Sequence, residues 1–294
     1  MSVVREIRPE AASVPSLDDG VVPLQLTEEE TTFLKTAITK DENEMWKRVE
    51  DVRRRAYEKY PYPCLRGFYH IHFEMMRTSV YREILEAGRS GNTTFLEIGC
   101  CMGSDVRRLA FDGYPAANII GTDLRQEFID LGLELYRDRD TCKTRFFADD
   151  IFTVSPKTVD ARPTEFSTAT KLVQLKGQVS HLFLGALFHL YDEQTQYAIA
   201  LAVATLLKHE KGSIIFGWHQ GQDKEGAVDD EYLRGRFAHS PASWTEMWKR
   251  VFAQLESAAF ADSRVVVDVV LKDGLPPEVY KSAPMMLYWN VKIV

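Results

Sequence analysis

Residues 95–105, FLEIGCCMGSD, decide the fold of this chain. The apolar run before Gly99 is typical of a buried strand, and the residues after Gly103 have the pattern of a helix. Glycine lets a chain turn sharply and lets its backbone approach a ligand closely. We therefore predict a strand–turn–helix unit whose turn, at Gly99 and Gly103, lets the backbone approach a ligand closely.

From residue 92 onward, short apolar runs alternate with amphipathic segments, as in a mostly parallel sheet covered by helices. Seven runs have the length of strands: residues 93–99, 117–124, 144–151, 179–187, 212–220, 264–272 and 285–294. We expect helices at residues 105–112, 126–138, 192–208 and 242–258, and an irregular insertion at 155–170. No helical pattern lies between the last two runs, so the last strand is predicted to be antiparallel.

The first third of the chain has a different character. Residues 1–26 have no sustained periodicity and are expected to form a flexible arm, followed by a helical cap over residues 27–90 and the ligand-binding domain over 91–294. Thr27 is a plausible helix N-cap, and a second helix is expected over residues 68–87. Between them, the prolines of YPYPC end the first helical stretch. We interpret this segment as a lid whose Tyr60 and Tyr62 contact the substrate.

Two further acidic positions follow the first turn. Asp123 ends the second run, 20 residues after Gly103, where dinucleotide-binding and related sheets place the carboxylate that accepts hydrogen bonds from ribose hydroxyls. The alternative for Asp123 is an N-cap for the helix at 126–138. Asp149 and Asp150 end the third run, where adjacent carboxylates repel each other unless something uses them. A solvated loop position is the alternative for Asp149.

The fourth and fifth runs suggest the other half of a site. His189 follows the fourth run and is our candidate to take a proton or donate a hydrogen bond, the alternative being a histidine packed in the turn. Trp218 and His219 end the fifth run and are candidates to contact a substrate, although Trp218 is also a plausible core residue.

Composition excludes several classes of function. A net charge of −7 without a long Lys/Arg block argues against nucleic-acid binding. The charged N-terminus and the lack of a bilayer-length apolar run predict a cytoplasmic chain that does not bind membranes. The four cysteines lack paired CxxC spacing and are expected to be reduced. No third ligand accompanies His70 and His72, so no metal site is predicted.

Together, the segments YPYPC, LEIGCCMGSDVRRL, GTDL, ADDIF and LGALFHLYDE resemble those of fungal secondary-metabolite methyltransferases of meroterpenoid biosynthesis, of the austinol-pathway type. The resemblance implies a class I methyltransferase fold, a Rossmann-like sheet of seven strands with the last antiparallel. It also implies S-adenosyl-L-methionine as cofactor, held by Asp123-Leu124 and Asp150-Ile151, and a homodimer. The first motif of this family is an acidic residue followed by glycines at alternate positions, and the resemblance implies that Glu97, Gly99, Cys101 and Gly103 contact the cofactor in the same way. Cys101 departs from the family pattern because it replaces the middle glycine.

The resemblance further implies a small-molecule acceptor that becomes a methyl ester or ether. A carboxylate acceptor is already ionised and needs only positioning, whereas a hydroxyl benefits from a general base. The expected function is therefore O-methylation of a carboxyl or hydroxyl group of a polyketide–terpenoid intermediate. A non-catalytic partner subunit that kept the cofactor fold, and a protein methyltransferase, are the alternatives.

Overall fold

The computed structural model describes residues 16–18, 26–157, 164–228, 235–274 and 285–294. The cap contains four α-helices and two 3-10 turns among these residues: α1 (Glu28–Ala37), α2 (Glu42–Lys59), α3 (Pro63–Arg66), the turns Tyr69–Ile71 and Met75–Arg77, and α4 (Tyr81–Arg89). Most of the predicted flexible arm, residues 1–15 and 19–25, lies outside the described residues.

Side-chain caps set the starts of the first two helices. The Thr27 hydroxyl accepts from the Glu30 N–H, and the Glu30 carboxylate accepts from the Thr27 N–H, which forms a capping box. Asp41 caps α2 by accepting from the Glu44 N–H. The predicted cap at Thr27 is thus confirmed, and the helical stretch that follows it is two helices.

The helix predicted over residues 68–87 is confirmed only from Tyr81 onward and is wrong over residues 68–80. Phe68 has a left-handed backbone with φ of 58°, and two 3-10 turns occupy the chain before α4 begins at Tyr81. Ile71 and Phe73 are fully buried in a cluster with α2 and α6. Their apolar spacing therefore reflects an irregular segment packed into a core, because periodicity does not distinguish this from a short helix.

The rest of the chain forms strands and helices in alternation. In order they are β1 (Phe95–Ile98), α5 (Ser104–Phe111), β2 (Ile119–Asp123), α6 (Gln126–Tyr136), β3 (Arg145–Ala148), β4 (His181–Gly185), α7 (Glu193–Leu206), β5 (Ile214–Gln220), β6 (Gly226–Val228), β7 (Arg236–Ala238), α8 (Pro241–Leu255), α9 (Ala258–Arg264), β8 (Val265–Lys272) and β9 (Met286–Ile293). All seven predicted strands are present.

The main sheet has the order β3-β2-β1-β4-β5-β9-β8. Strands β1 to β5 are parallel, and β9 is antiparallel to both of its neighbours, β5 and β8. The antiparallel last strand is confirmed, and the fold is that of class I methyltransferases. From β1 to β3 successive strands are added on one side of β1, and from β4 onward they are added on its other side. The strand order therefore reverses between β1 and β4, which is where open α/β sheets bind ligands.

Helices cover both faces of this sheet. Helices α4 and α5 pack on one face, and α7 and α8 pack on the other. The cap forms a separate apolar cluster with α6, the helix that follows β2. This packing brings the cap to the carboxyl end of β2.

Three details differ from the sequence predictions or lie beyond them. The hairpin β6–β7 was not predicted, and the helix predicted over residues 242–258 ends at Leu255, with Ser257 capping α9. Residues 158–163 of the predicted insertion and 275–284 between the last two strands are outside the described part. Among the described residues, no helix is long and apolar enough to cross a membrane.

Candidate active site

The turn after β1 contains three residues with left-handed backbones. Gly99, Cys101 and Gly103 have φ angles of 79°, 51° and 69°. The N–H groups of Gly99 and Cys100 both donate to the carbonyl of Thr122 in β2, at 2.8 and 2.9 Å. The turn is therefore as tight as predicted, although the conformation of Cys101 costs a non-glycine residue roughly 1–2 kcal/mol.

Asp123 ends β2 beside this turn, with 9% of the residue exposed. Its Oδ2 accepts from the Cys101 N–H at 2.8 Å, and its Oδ1 accepts from the Arg125 N–H at 2.9 Å. Both carboxylate oxygens therefore accept from backbone N–H groups of the two neighbouring turns. Asp123 thus joins the turns after β1 and β2 at one point.

The alternative role for Asp123, an N-cap of α6, does not fit. The N-cap of α6 is Arg125, and the Arg125 side chain makes no capping hydrogen bond. Asp123 instead accepts from the N–H of Arg125 itself, before the helix begins. Its carboxylate therefore shapes the turn between β2 and α6.

Glu97 is a buried carboxyl in β1, with Oε2 lacking a hydrogen-bond partner among the described residues. Burial raises its pKa well above the usual range, and the charges of Asp105 and Asp123 raise it further. Burial likewise raises the pKa of Asp105, which accepts from the Met75 N–H of the cap. A nearby cation would favour the ionised form of these carboxyls, so this part of the edge suits a positively charged ligand group.

The two aspartates after β3 differ in their partners. Asp149 accepts from its neighbour's N–H at 2.9 Å and from the Leu172 N–H at 2.7 Å, which ties β3 to a 3-10 turn. Asp150 accepts from the Phe152 N–H at 3.0 Å and caps the 3-10 turn Ile151–Thr153. Asp149 is therefore not the solvated residue of the alternative, because both of its oxygens hold backbone.

The residues around these aspartates differ in exposure. Ile151 is buried, whereas Leu124 is an exposed apolar residue after β2. An exposed apolar side chain beside the carboxylates offers a flat ligand a surface to contact.

The YPYPC segment lies against the start of α6. The Arg125 guanidinium is 4.2 Å from the centre of the Tyr60 ring, and Tyr62 contacts both Tyr60 and Phe128 at ring-centre distances of 4.2 and 5.8 Å. Tyr60 is only 2% exposed. The YPYPC segment therefore packs beside the turn after β2, and Tyr60 is buried within it, which leaves little of its surface for the predicted contact with the substrate.

Trp218 lies at the end of β5 and is 8% exposed. Its ring faces Tyr69 of the cap and Tyr288 of β9, at ring-centre distances of 6.1 and 6.4 Å. Trp218 also lies close to Gly185 at the end of β4, because a side-chain carbon added to this glycine would be only 3.2 Å from the indole nitrogen. These three rings thus form an aromatic wall that borders the end of β4.

His219 does not lie on this wall, which corrects its predicted contact with the substrate. It is 1% exposed and packs among Phe188, Trp244 and Trp289 on the opposite face of the sheet. Its Nδ1 accepts from the Trp289 indole N–H at 2.9 Å. Successive residues of a strand point to opposite faces, so Trp218 and His219 are on different sides.

His189 lies in the 3-10 turn Phe188–Leu190 after β4. Its Nδ1 accepts from the Gln220 N–H at 3.4 Å, and its carbonyl accepts from Arg236 of β7 at 3.4 Å. When Nδ1 of a neutral imidazole accepts, Nε2 carries the proton and donates. The histidine side chain is therefore tied to the backbone at the end of β5 through its Nδ1.

Glu74 is a buried carboxyl of the cap that sequence reasoning missed. It accepts from Arg77 at 3.1 Å and from the Tyr288 hydroxyl at 3.5 Å. Burial raises its pKa, against the opposing charge of Arg77. The cap therefore places a carboxyl behind the aromatic wall, through a contact between residues far apart in the chain that no local motif signals.

Comparisons with known proteins agree with this geometry. A family model described as the meroterpenoid methyltransferase N-terminal domain matches residues 21–71. The asnovolin E/chermesin D methyltransferase nvfJ of Aspergillus novofumigatus is 31% identical over 71% of this chain and 70% of its own length. This chain belongs to the fungal meroterpenoid methyltransferase family. The family model covers the YPYPC segment and ends before α4.

Two further proteins are similar to this member of the family. The O-methyltransferase phiE, from a fungal species, is 33% identical over 70% of this chain, and the match spans 65% of phiE. The 1,6-didemethyltoxoflavin-N1-methyltransferase of Burkholderia thailandensis, solved with S-adenosylhomocysteine, covers 93% of this chain at 12% identity and a TM-score of 0.47. The fold assignment rests on strand order rather than on that superposition.

Proposed function

We propose that this chain is an S-adenosyl-L-methionine-dependent O-methyltransferase that methylates a carboxyl or hydroxyl group of a polyketide–terpenoid intermediate. The observation that carries the proposal is the Asp123 carboxylate, fixed by two backbone N–H groups beside the turn after β1. Family membership supports the same reaction, since the relatives are named methyltransferases.

The residues at the carboxyl ends of β1, β2 and β3 fit three parts of the cofactor: the ribose, the methionine half and the adenine. Asp123 accepts from the ribose hydroxyls, and the buried Glu97 carboxyl faces the cationic methionine half. Asp150 is proposed for the adenine amino group, with Leu124 and Ile151 in contact with the ring. Asp149 contributes through β3 and its 3-10 turn rather than by touching the cofactor.

S-adenosyl-L-methionine supplies an electrophilic methyl group on a sulfonium, and the protein must align an acceptor oxygen with it. The His189 Nε2–H donates to that oxygen, and the wall of Tyr69, Trp218 and Tyr288 holds an apolar acceptor body away from water. Donation suits a carboxylate, which needs no base. A hydroxyl acceptor would have to lose its proton to another group, and the carboxyl that the cap contributes beside the aromatic wall is Glu74, which accepts from the Tyr288 hydroxyl.

The remaining expectations are proposals of the same kind. A small-molecule acceptor fits the relatives, one of which is named for asnovolin E and chermesin D. A homodimer and a cytoplasmic location are also proposed, the latter because the four cysteines are free, as a reducing compartment keeps them.

The test is methyl transfer from tritiated S-adenosyl-L-methionine to a matched pair of terpenoid acceptors, one a carboxylic acid and the other the primary alcohol of the same skeleton. We expect label in the organic extract, as a base-labile ester for the acid or a base-stable ether for the alcohol. The Asp123→Ala variant is the control and should transfer none. Label that appears only in the protein fraction of a fungal lysate would favour the protein methyltransferase, and cofactor binding without any transfer would favour a partner subunit.

A further inference from the structure

Strand β8 is a long, apolar edge of the main sheet. Its eight residues, VVVDVVLK, pair with β9 in unbroken register from Val265 to Lys272. The opposite edge, β3, has only four residues. Proteins protect sheet edges with short strands, proline, bulges or charges, because an open edge can pair with another strand. Of these devices β8 carries only two charges.

One face of β8 alternates valines with two charged residues, and the other face is apolar. Val266 and Val270 are 41% and 54% exposed on one face, which they share with Asp268 and Lys272. On the other face, residues 267, 269 and 271 are partly buried against the core beneath α8 and α9. An exposed strand with this composition is stabilised when a second strand covers it.

We propose that β8 pairs antiparallel with β8 of a second copy of this chain, about a twofold axis at Val270. This inference rests on the homodimer proposed above and locates its interface. A twofold axis makes the same patch contact itself, so every cross-strand pair occurs twice except the pair on the axis.

Charge complementarity selects this register. With the axis at Val270, Asp268 lies opposite Lys272 of the second copy on one face, and Val269 lies opposite Leu271 on the other. An axis at Asp268 would instead place two aspartates opposite each other, which is destabilising. An axis at Val269 would place both charges opposite valines. Only the axis at Val270 pairs the opposite charges and keeps apolar residues at the centre of both faces.

The interface lies away from the ligand-binding turn. Strands β4, β5 and β9 separate β8 from β1 in the sheet. Asp268 and Val270 have no role in the proposed active site. The Lys272 ammonium nitrogen is 4.8 Å from the centre of the Tyr288 ring, on the proposed acceptor side rather than at the cofactor turn. Cofactor binding can therefore report on folding while the oligomeric state is changed.

The experiment is sedimentation equilibrium of the full chain over a range of concentrations. The unmodified protein should have twice the monomer mass of 33.6 kDa. Asp268→Lys places two lysines opposite each other at both symmetric positions, as Lys272→Asp does with two aspartates. Each change should raise the Kd of the dimer about tenfold or more. The double variant Asp268→Lys/Lys272→Asp restores opposite charges and should return the Kd to within about threefold of the original.

The matched control is Asp140→Lys, the same charge change at an exposed position near the other edge of the sheet, which should leave the Kd unchanged. A dimer that is insensitive to all three β8 variants, or a double variant that stays dissociated, would overturn the proposed interface. A monomer at every concentration would overturn the interface and the homodimer together. S-adenosylhomocysteine titrated into each variant keeps these outcomes separate from a failure of the methyltransferase proposal.

Discussion

The carboxyl ends of the parallel strands form the proposed ligand-binding side of the sheet. The two halves of this side differ in how their side chains are held. At the ends of β2 and β3, the carboxylates of Asp123, Asp149 and Asp150 accept from backbone N–H groups, mostly within a few residues. At the ends of β4 and β5, the positions of His189 and Trp218 depend on groups from β5, β7, β9 and the cap. The first half is therefore specified by local sequence, whereas the second is specified by packing between distant segments.

The largest expected effect concerns the first half. Asp123→Ala removes the ribose acceptor and leaves the N–H groups of Cys101 and Arg125 without it. Loss of a buried charged acceptor that makes several hydrogen bonds should weaken S-adenosylhomocysteine binding about 100-fold or more. Equilibrium dialysis measures this, and Asp123→Asn, which keeps one acceptor, should bind with intermediate affinity. Unchanged affinity in the alanine variant would remove the basis for assigning the two halves different roles.

In the second half, His219→Ala should act on stability rather than on substrate binding. The change opens a cavity and deprives the Trp289 indole of its acceptor, at a cost of about 2–4 kcal/mol in the free energy of unfolding. Chemical denaturation measures the loss. A KM for the acceptor that rises in a fully folded sample would show instead that His219 contacts the substrate.

His219 should also make stability depend on pH. Burial lowers its pKa well below 6.5, and the charges of His189 and His239 act in the same direction. The unfolded chain then takes up a proton near pH 6.5 that the folded chain does not bind, so this residue's contribution to stability falls as the pH drops below 6.5. His219→Leu should flatten that part of the stability profile, and an unaltered profile would contradict the buried neutral state.

A smaller effect is expected at His189. His189→Ala removes a donor to the acceptor oxygen and should lower kcat/KM about tenfold, whereas His189→Gln keeps a donor and should lose less. Both variants should bind S-adenosylhomocysteine normally. Equal losses in the two variants, with a pH profile that loses its acidic limb, would indicate a general base instead.

The smallest effects should separate the adjacent aspartates of the first half. Asp150→Ala should weaken S-adenosylhomocysteine binding about fivefold without much loss of stability, because one contact to the adenine amino group is removed. Asp149→Ala should do the reverse, since it leaves the Leu172 N–H unpaired. Calorimetric titration measures the affinity for S-adenosylhomocysteine, and thermal denaturation measures the stability of both variants. Weaker binding in Asp149→Ala and lower stability in Asp150→Ala would place Asp149 at the cofactor.

Much of the fold could be predicted from the sequence because strands β1 to β5 and β9 are apolar runs bounded by turns. The antiparallel last strand followed from the lack of a helical pattern before it. The irregular course of residues 68–80 could not be predicted, because buried residues such as Ile71 and Phe73 have the apolar spacing of a helix. The hairpin β6–β7 has strands of only three residues, too short to produce an alternating pattern.

The candidate site shows the same division. Asp123 could be chosen from the sequence because it lies 20 residues after Gly103, the spacing at which dinucleotide-binding and related sheets place a carboxylate. Glu74, Tyr69 and Tyr288 were missed because they meet only in the folded chain. His219 was assigned to the wrong face, although the alternation of side chains along β5 was sufficient to show that it and Trp218 point in opposite directions.

The central claim is that the end of β2 holds the cofactor, and a crystal structure of the protein with S-adenosylhomocysteine tests it most directly. The account predicts both ribose hydroxyls within hydrogen-bond distance of the Asp123 carboxylate, with the turn of Gly99, Cys101 and Gly103 against the ligand. A ligand bound elsewhere, or a ribose held by another side chain while Asp123 contacts only backbone, would contradict it.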